Sequence, residues 1–231
     1  MLSIDIILEA NCLLGITEHL LSTRPYERKP LLNSMHCPNS AQPASHVLRV
    51  RTAGTHDAVE KQIDWHPLLT TVSGYSSLLQ RLRIVEMVVG TAVTRSVNPI
   101  PSWLTDRRSV RDIDADLTCI GEIDCIELPL IDGHQCNWID SMASGAGAIY
   151  VLEGSTLGGQ YLARLVKQNL DLDAQRGASY LSGYGTETRL RWKRTQHWLD
   201  ETLSTEAYIA EAIDSATKTF QFYESILRNS E

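Results

Sequence analysis

Phenylalanine is nearly missing from this chain, with two in 231 residues, and no pair of its five cysteines has CxxC spacing. The odd, scattered set (Cys12, Cys37, Cys119, Cys125 and Cys136) excludes a zinc ribbon and a disulfide framework, and reads as reduced thiols of a cytoplasmic protein. Basic charge is also scarce. A net charge of −7 excludes a general nucleic-acid surface, which needs a cationic face for phosphates. No uninterrupted apolar run approaches the roughly 18 residues of a membrane span. The opening "MLSIDIILEANCLLGI" has no basic leader, and Asp5 and Glu9 interrupt it, so it does not read as a signal peptide. Alternating strand patterns and internal repeats are absent too.

What is present is helical. At 43% hydrophobic the chain is an ordinary globular protein, read as one domain behind an extension. Residues 1–34 read as an extra helix with the polar linker "RPYERKP", and "CPNSAQPAS" (37–45) reads as a second, disordered joint. Met35 is an alternative start, and residues 1–34 are expected to be dispensable for folding. From His46 to Asp64, Leu48, Thr52, Val59 and Ile63 share one helix face. Ser73 or Gly74 opens a second helix, with Tyr75, Leu78, Leu82, Val85, Val89 and Val93 as its stripe. The prolines of "SVNPIPSW" stop it. Residues 107–121 predict a shorter helix ending at Gly121, followed by a loop, "ELPLIDGHQ". A glycine-rich helix spans Trp138 to Leu170, "GASYLSGYG" reads as loop, and helices over 186–203 and 205–229 close the chain. The last carries Ile209, Ile213, Ala216, Phe220, Tyr223 and Leu227 on one face. The fold class is all-α.

The glycine-rich helix raises the chemical question. Gly145, Gly147, Gly154, Gly158 and Gly159 lie in or beside it, and each interior glycine costs roughly 1 kcal/mol against alanine. "GSTLGGQ" lacks the lysine of a P-loop and the spacing of a nucleophile elbow. Two readings stay open. Either Gly147, Gly154 and Gly158 let another helix backbone come close, or a flat ligand lies on a bare surface that Gly158-Gly159 kinks. Among the seven histidines, His56 shares the first helix's apolar face, where a neutral imidazole suits iron. Arg49 lies two turns before it, and "RLRWKR" (189–194) gathers four bases in six positions. Such clusters are solvated faces, or partners for a dianionic ligand.

Together these segments resemble the haem oxygenase family. "LRVRTAGTHDAVE" is similar to its proximal helix, L-(K/R)-x-x-T-x-x-x-H-x-x-x-E. "AIYVLEGSTLGGQ" is similar to the distal helix of the bacterial branch, especially enzymes encoded beside bacteriophytochromes. "HPLL" (66–69), "RRSVRDIDADLTCIG" (107–121) and "GYG…W" (184–192) also fall where that branch has similar segments.

The resemblance covers 46 to about 228 and leaves residues 1–45 as an extension ahead of a 46–231 domain. It implies a single-domain helical bundle with haem sandwiched between a proximal and a kinked distal helix. His56 is then the axial iron ligand, with Gly154, Ser155, Gly158 and Gly159 on the oxygen side. Arg49, then Arg189 and Lys193, meet the propionates. The implied reaction opens haem to biliverdin with release of carbon monoxide and iron. It uses oxygen and electrons from a reductase or ferredoxin-type donor, and the bilin supplies a bacteriophytochrome. Ser155 stands where mammalian enzymes place an aspartate, so backbone and Ser155 must order the distal water. "RIVEMVVGTAV" replaces an expected aromatic wall in the second helix. The competing readings are a haem carrier without turnover and a helical domain without haem.

Overall fold

The computed structural model describes residues 42–121 and 136–228. The extension predicted over 1–34 and the loop "ELPLIDGHQ" lie outside the described residues. The helical unit runs Pro43–Glu231, and no strand occurs among its described residues, only isolated bridges from Asp173 to Arg176 and Gly177. In chain order the helices are α1 (Ala44–Gln62), α2 (Trp65–Thr70), α3 (Val72–Ser96), α4 (Ser102–Thr105) and α5 (Val110–Ile120). They continue as α6 (Met142–Leu170), α7 (Ser179–Ser182), α8 (Thr188–Thr202) and α9 (Glu206–Leu227).

Local chemistry sets the boundaries. The Thr71 hydroxyl accepts from the Gly74 amide and starts α3. Ser109 and Asp112 form a capping box on α5, and Gly121 (φ 73°) ends it in the left-handed region. The glycine-rich helix opens at Met142 rather than Trp138 because Ser141 and Ser144 cap each other's amides there. From Met142 it continues as one helix through Gly158 and Gly159 to Leu170. "GASYLSGYG" is not all loop. The Asp116 carboxylate accepts from the Ser179 amide (2.9 Å), the Ser179 hydroxyl (2.8 Å) and the Tyr180 amide (2.8 Å), and that winds the turn α7. Asp116's own carboxyl is raised by burial, which outweighs these donors.

The predicted stripes form the core. Tyr75, Leu78, Leu82, Val85, Val89 and Val93 are all buried, as are Leu48, Thr52, Val59 and Ile63. Helix α6 packs against α3, α7, α8 and α9, while α1 packs on α8 and α9. Helices α1 and α6 thus share α9 as a floor, yet they hardly touch one another.

The glycines of α6 divide between two jobs. A Cβ on Gly147 would lie 2.2 Å from the Ala212 carbonyl oxygen of α9, and one on Gly145 would lie 2.5 Å from the Val97 side chain. These two residues let helices close. At Gly158 a Cβ would meet nothing within 4 Å. Opposite outcomes are therefore expected from one substitution on one helix. Gly147→Ala must displace backbone, which costs about 1–3 kcal/mol. Gly158→Ala recovers helix propensity of up to about 1 kcal/mol. Urea melting of both variants reads the difference directly.

Candidate functional site

His56 is the exception on its helix face. Its neighbours along the stripe are buried, but its own side chain is 35% exposed. The imidazole meets the Phe220 ring of α9 edge-on at 5.4 Å, which limits how it turns. Asp57 lies 3.8 Å from Nδ1 and Glu60 lies 3.5 Å from Nε2. Whichever nitrogen takes a metal, the other has a carboxylate near, the arrangement that orients a ligating histidine. His66 is exposed on α2, with its amide donating to Asp64 at 3.3 Å.

Beside α1 stands Tyr150 of α6, which sequence reasoning did not select. Burial raises its phenol's pKa, while a hydrogen bond with Thr52 and the charge of Arg49 oppose that rise. Arg49 and Tyr150 are therefore neighbours. The Trp192 ring of α8 lies 5.6 Å from the Tyr150 ring, and its edge would touch a Cβ on Gly154 at 3.5 Å. Arg189 and Lys193, one turn apart on α8, are both exposed. Arg191, from the same basic run, instead braces the fold. It donates to the Trp103 and Asp106 carbonyls and lies 4.0 Å over the Tyr184 ring.

Of the sequence-selected glycines, Gly154 and Gly158 face the α8 side and open space. Gly159 is buried, and a Cβ there would approach the Leu181 carbonyl at 3.0 Å and Arg108 at 3.4 Å. It thus joins the close-packing positions, with α7 as its neighbour. The packing alternative for Gly147, Gly154 and Gly158 holds for Gly147 alone, because only there does another helix backbone lie against the glycine.

Behind Ser155 lies a buried ionic frame, also missed by the sequence reading. Arg107 donates to both Glu86 oxygens (2.6 and 3.1 Å) and to Glu153 (3.2 Å). The Tyr180 hydroxyl donates to Glu86 (2.7 Å), and the Tyr184 hydroxyl to Glu153 (3.1 Å). Arg108 donates to the Tyr180 carbonyl (2.5 Å) and to the Ser155 hydroxyl oxygen (3.0 Å), with its guanidinium 4.3 Å over the Tyr180 ring. Two arginines offset two glutamates. Burial alone would raise Glu86, but Arg107, Arg108 and the Tyr180 hydroxyl outweigh it and hold the carboxyl below its usual value.

A depressed carboxylate stabilises the fold above its unfolded pKa, roughly 4.3, and that stability is lost as pH falls through the folded value. Glu86→Gln leaves the buried Arg107 with Glu153 as its remaining charged partner and is expected to cost about 3 kcal/mol at neutral pH. Its stability should also fall less between pH 5 and pH 3 than the wild type's. Urea melts across that range check both effects.

Comparison with known proteins bears on the fold. Residues 138–229 match the family model for heme oxygenase, a stretch holding α6 to α9 but not α1. A heme oxygenase of Xanthomonas campestris pv. campestris (strain 8004) is 29% identical over 125 residues, covering 52% of this chain and 68% of that protein. The nitric oxide- and carbon monoxide-bound heme oxygenase of Neisseria meningitidis has the same all-α fold. It matches with a TM-score of 0.67 at 22% identity, covering 81% of this chain and 92% of that one. The class is thus an all-α helical bundle. The chain's second half is similar to the haem oxygenase family model, and its fold is that of a solved haem oxygenase.

Proposed function

We propose that this protein binds haem between α1 and α6 and cleaves it oxidatively to biliverdin, carbon monoxide and iron. The observation that carries the reading is the pairing of a half-exposed His56 with the bare Gly158 surface, on helices that share a floor and hardly touch. Haem as substrate supplies its own iron and macrocycle for the oxygen chemistry; the protein supplies ligation, orientation and exclusion.

His56 ligates the iron through one ring nitrogen, and Glu60 or Asp57 accepts from the other and fixes the ring. Arg49 and Tyr150 take one propionate, while Arg189 and Lys193 of α8 reach the other from the exposed side. Gly154 and Gly158 leave height above the macrocycle, so that an oxygen ligand can lean toward the ring edge. Trp192 closes that edge, and Gly159 sets the pocket by letting α7 approach. Ser155 offers the hydroxyl nearest the oxygen side. Arg108 pins it by donating to its oxygen.

Electrons come from a reductase or ferredoxin-type donor, for which exposed Arg189, Lys193 and Arg194 offer a cationic face in an otherwise acidic chain. The product serves a bacteriophytochrome in the cytoplasm, a role supported by the likeness of "AIYVLEGSTLGGQ" to that branch. Among the described residues no helix is long and apolar enough to cross a membrane. The test is aerobic turnover: purified chain, stoichiometric haemin and ascorbate. Loss of the Soret band with growth of a biliverdin band and release of carbon monoxide is expected. Stable haem binding without ring opening would make the protein a carrier.

A further inference from the structure

A surface cleft of about 590 Å³ lies between α3, α4, α5 and α6, and the haem reading leaves it unused. That volume suits a small molecule. Val93, Ile100, Leu104 and Leu152 give it apolar walls. Leu152 stands roughly 200° round α6 from Gly154, so the cleft lies behind the face proposed for haem. Arg107 lines it as well, with its side chain 13% exposed. The ionic frame uses three of its five N–H groups: Nε donates to Glu153, and each Nη donates once to Glu86. One N–H remains on each Nη.

Gly90 uncovers that guanidinium. It sits in the interior of α3, where glycine is costly beside alanine. A Cβ there would meet only Arg107 Nη1, at 3.9 Å. No neighbouring helix requires the glycine, and its bare backbone leaves the donors facing the cleft. Three threonines supply the complement. The hydroxyls of Thr91, Thr94 and Thr105 donate to the Met87, Gly90 and Ser102 carbonyls at 2.6, 2.9 and 2.7 Å. Toward the cleft they therefore offer oxygen lone pairs alone. A carboxylate entering here would meet Glu86 and Glu153 as well as Arg107, whereas a neutral carbonyl meets no such repulsion. We infer that the cleft binds an uncharged, mainly apolar molecule through a secondary amide, its carbonyl accepting from Arg107 and its N–H donating to a threonine hydroxyl.

The probe is para-fluoroacetanilide, titrated into the full chain and followed by fluorine NMR. Saturable binding in the millimolar range is expected of so small a molecule, with para-fluorobenzoate binding far more weakly. Gly90→Leu fills the cleft and should weaken amide binding roughly tenfold or more, while haem turnover stays unchanged. Gly90→Ala places one methyl group over Nη1 at an ordinary contact distance and should weaken binding several-fold. This milder variant decides the matter if Gly90→Leu folds poorly. The haemin-loaded chain should bind the amide as well as the haem-free one. Amide affinity unmoved by both substitutions, benzoate bound as tightly as the amide, or loss of the amide on haemin loading overturns the inference.

Discussion

Replacing His56 by alanine is expected to weaken haem binding at least tenfold, about 1.4 kcal/mol or more, and to change the Soret spectrum of what remains bound. The side chain is partly exposed and packs mainly against Phe220, so its loss should barely change haem-free melting. A binding defect without a folding defect separates a ligand from a core residue. Exogenous imidazole should enter the space left and restore the ligand field. The measurement is a haemin titration with and without imidazole. An unchanged ligand field in His56→Ala would move the ligand elsewhere, with His66 the next histidine to replace.

The second large effect belongs to Gly158→Leu. A side chain there projects into open space, since a Cβ meets nothing within 4 Å. Leucine also favours helix by roughly 0.8 kcal/mol over glycine. The haem-free protein should be at least as stable as the wild type. The same side chain would stand over the macrocycle, so haem should bind poorly or fail to reach biliverdin. Gly147→Leu provides the contrast, because its side chain would run into the Ala212 backbone and the protein should melt early. A Gly158→Leu variant that melts early yet converts bound haem normally would contradict the pocket assignment.

The periodic parts of this structure were legible in the sequence because burial and helix geometry act on near neighbours. The stripes through Tyr75 to Val93 and from Leu48 to Ile63 are buried as expected. His56 departs from its stripe, staying 35% exposed with its ring edge-on to Phe220 of α9, a neighbour no single helix contains. The buried frame was less visible. Glu86, Arg107, Glu153 and Tyr180 come from four separate segments, and pairing across such separations leaves no local pattern. One signal was available. Glu86 falls on the face of Leu82 and Val89, in "RIVEMVVG", where a lone carboxylate must be buried and so must be paired. Glu153, inside "IYVLEGS", carries the same signal. The glycine-rich run could not be divided from sequence either. Gly147, Gly158 and Gly159 look alike as letters, and only what stands opposite each one tells packing from open surface.

The most direct test of the account is the crystal structure of the haemin-loaded chain. The account predicts iron bonded to a His56 ring nitrogen, with the porphyrin lying between α1 and α6 against Gly154 and Gly158. One propionate should lie at Arg49 and Tyr150, with Ser155 on the face opposite His56. Haem bound outside the α1–α6 gap, or held there with His56 turned away from the iron, would contradict it.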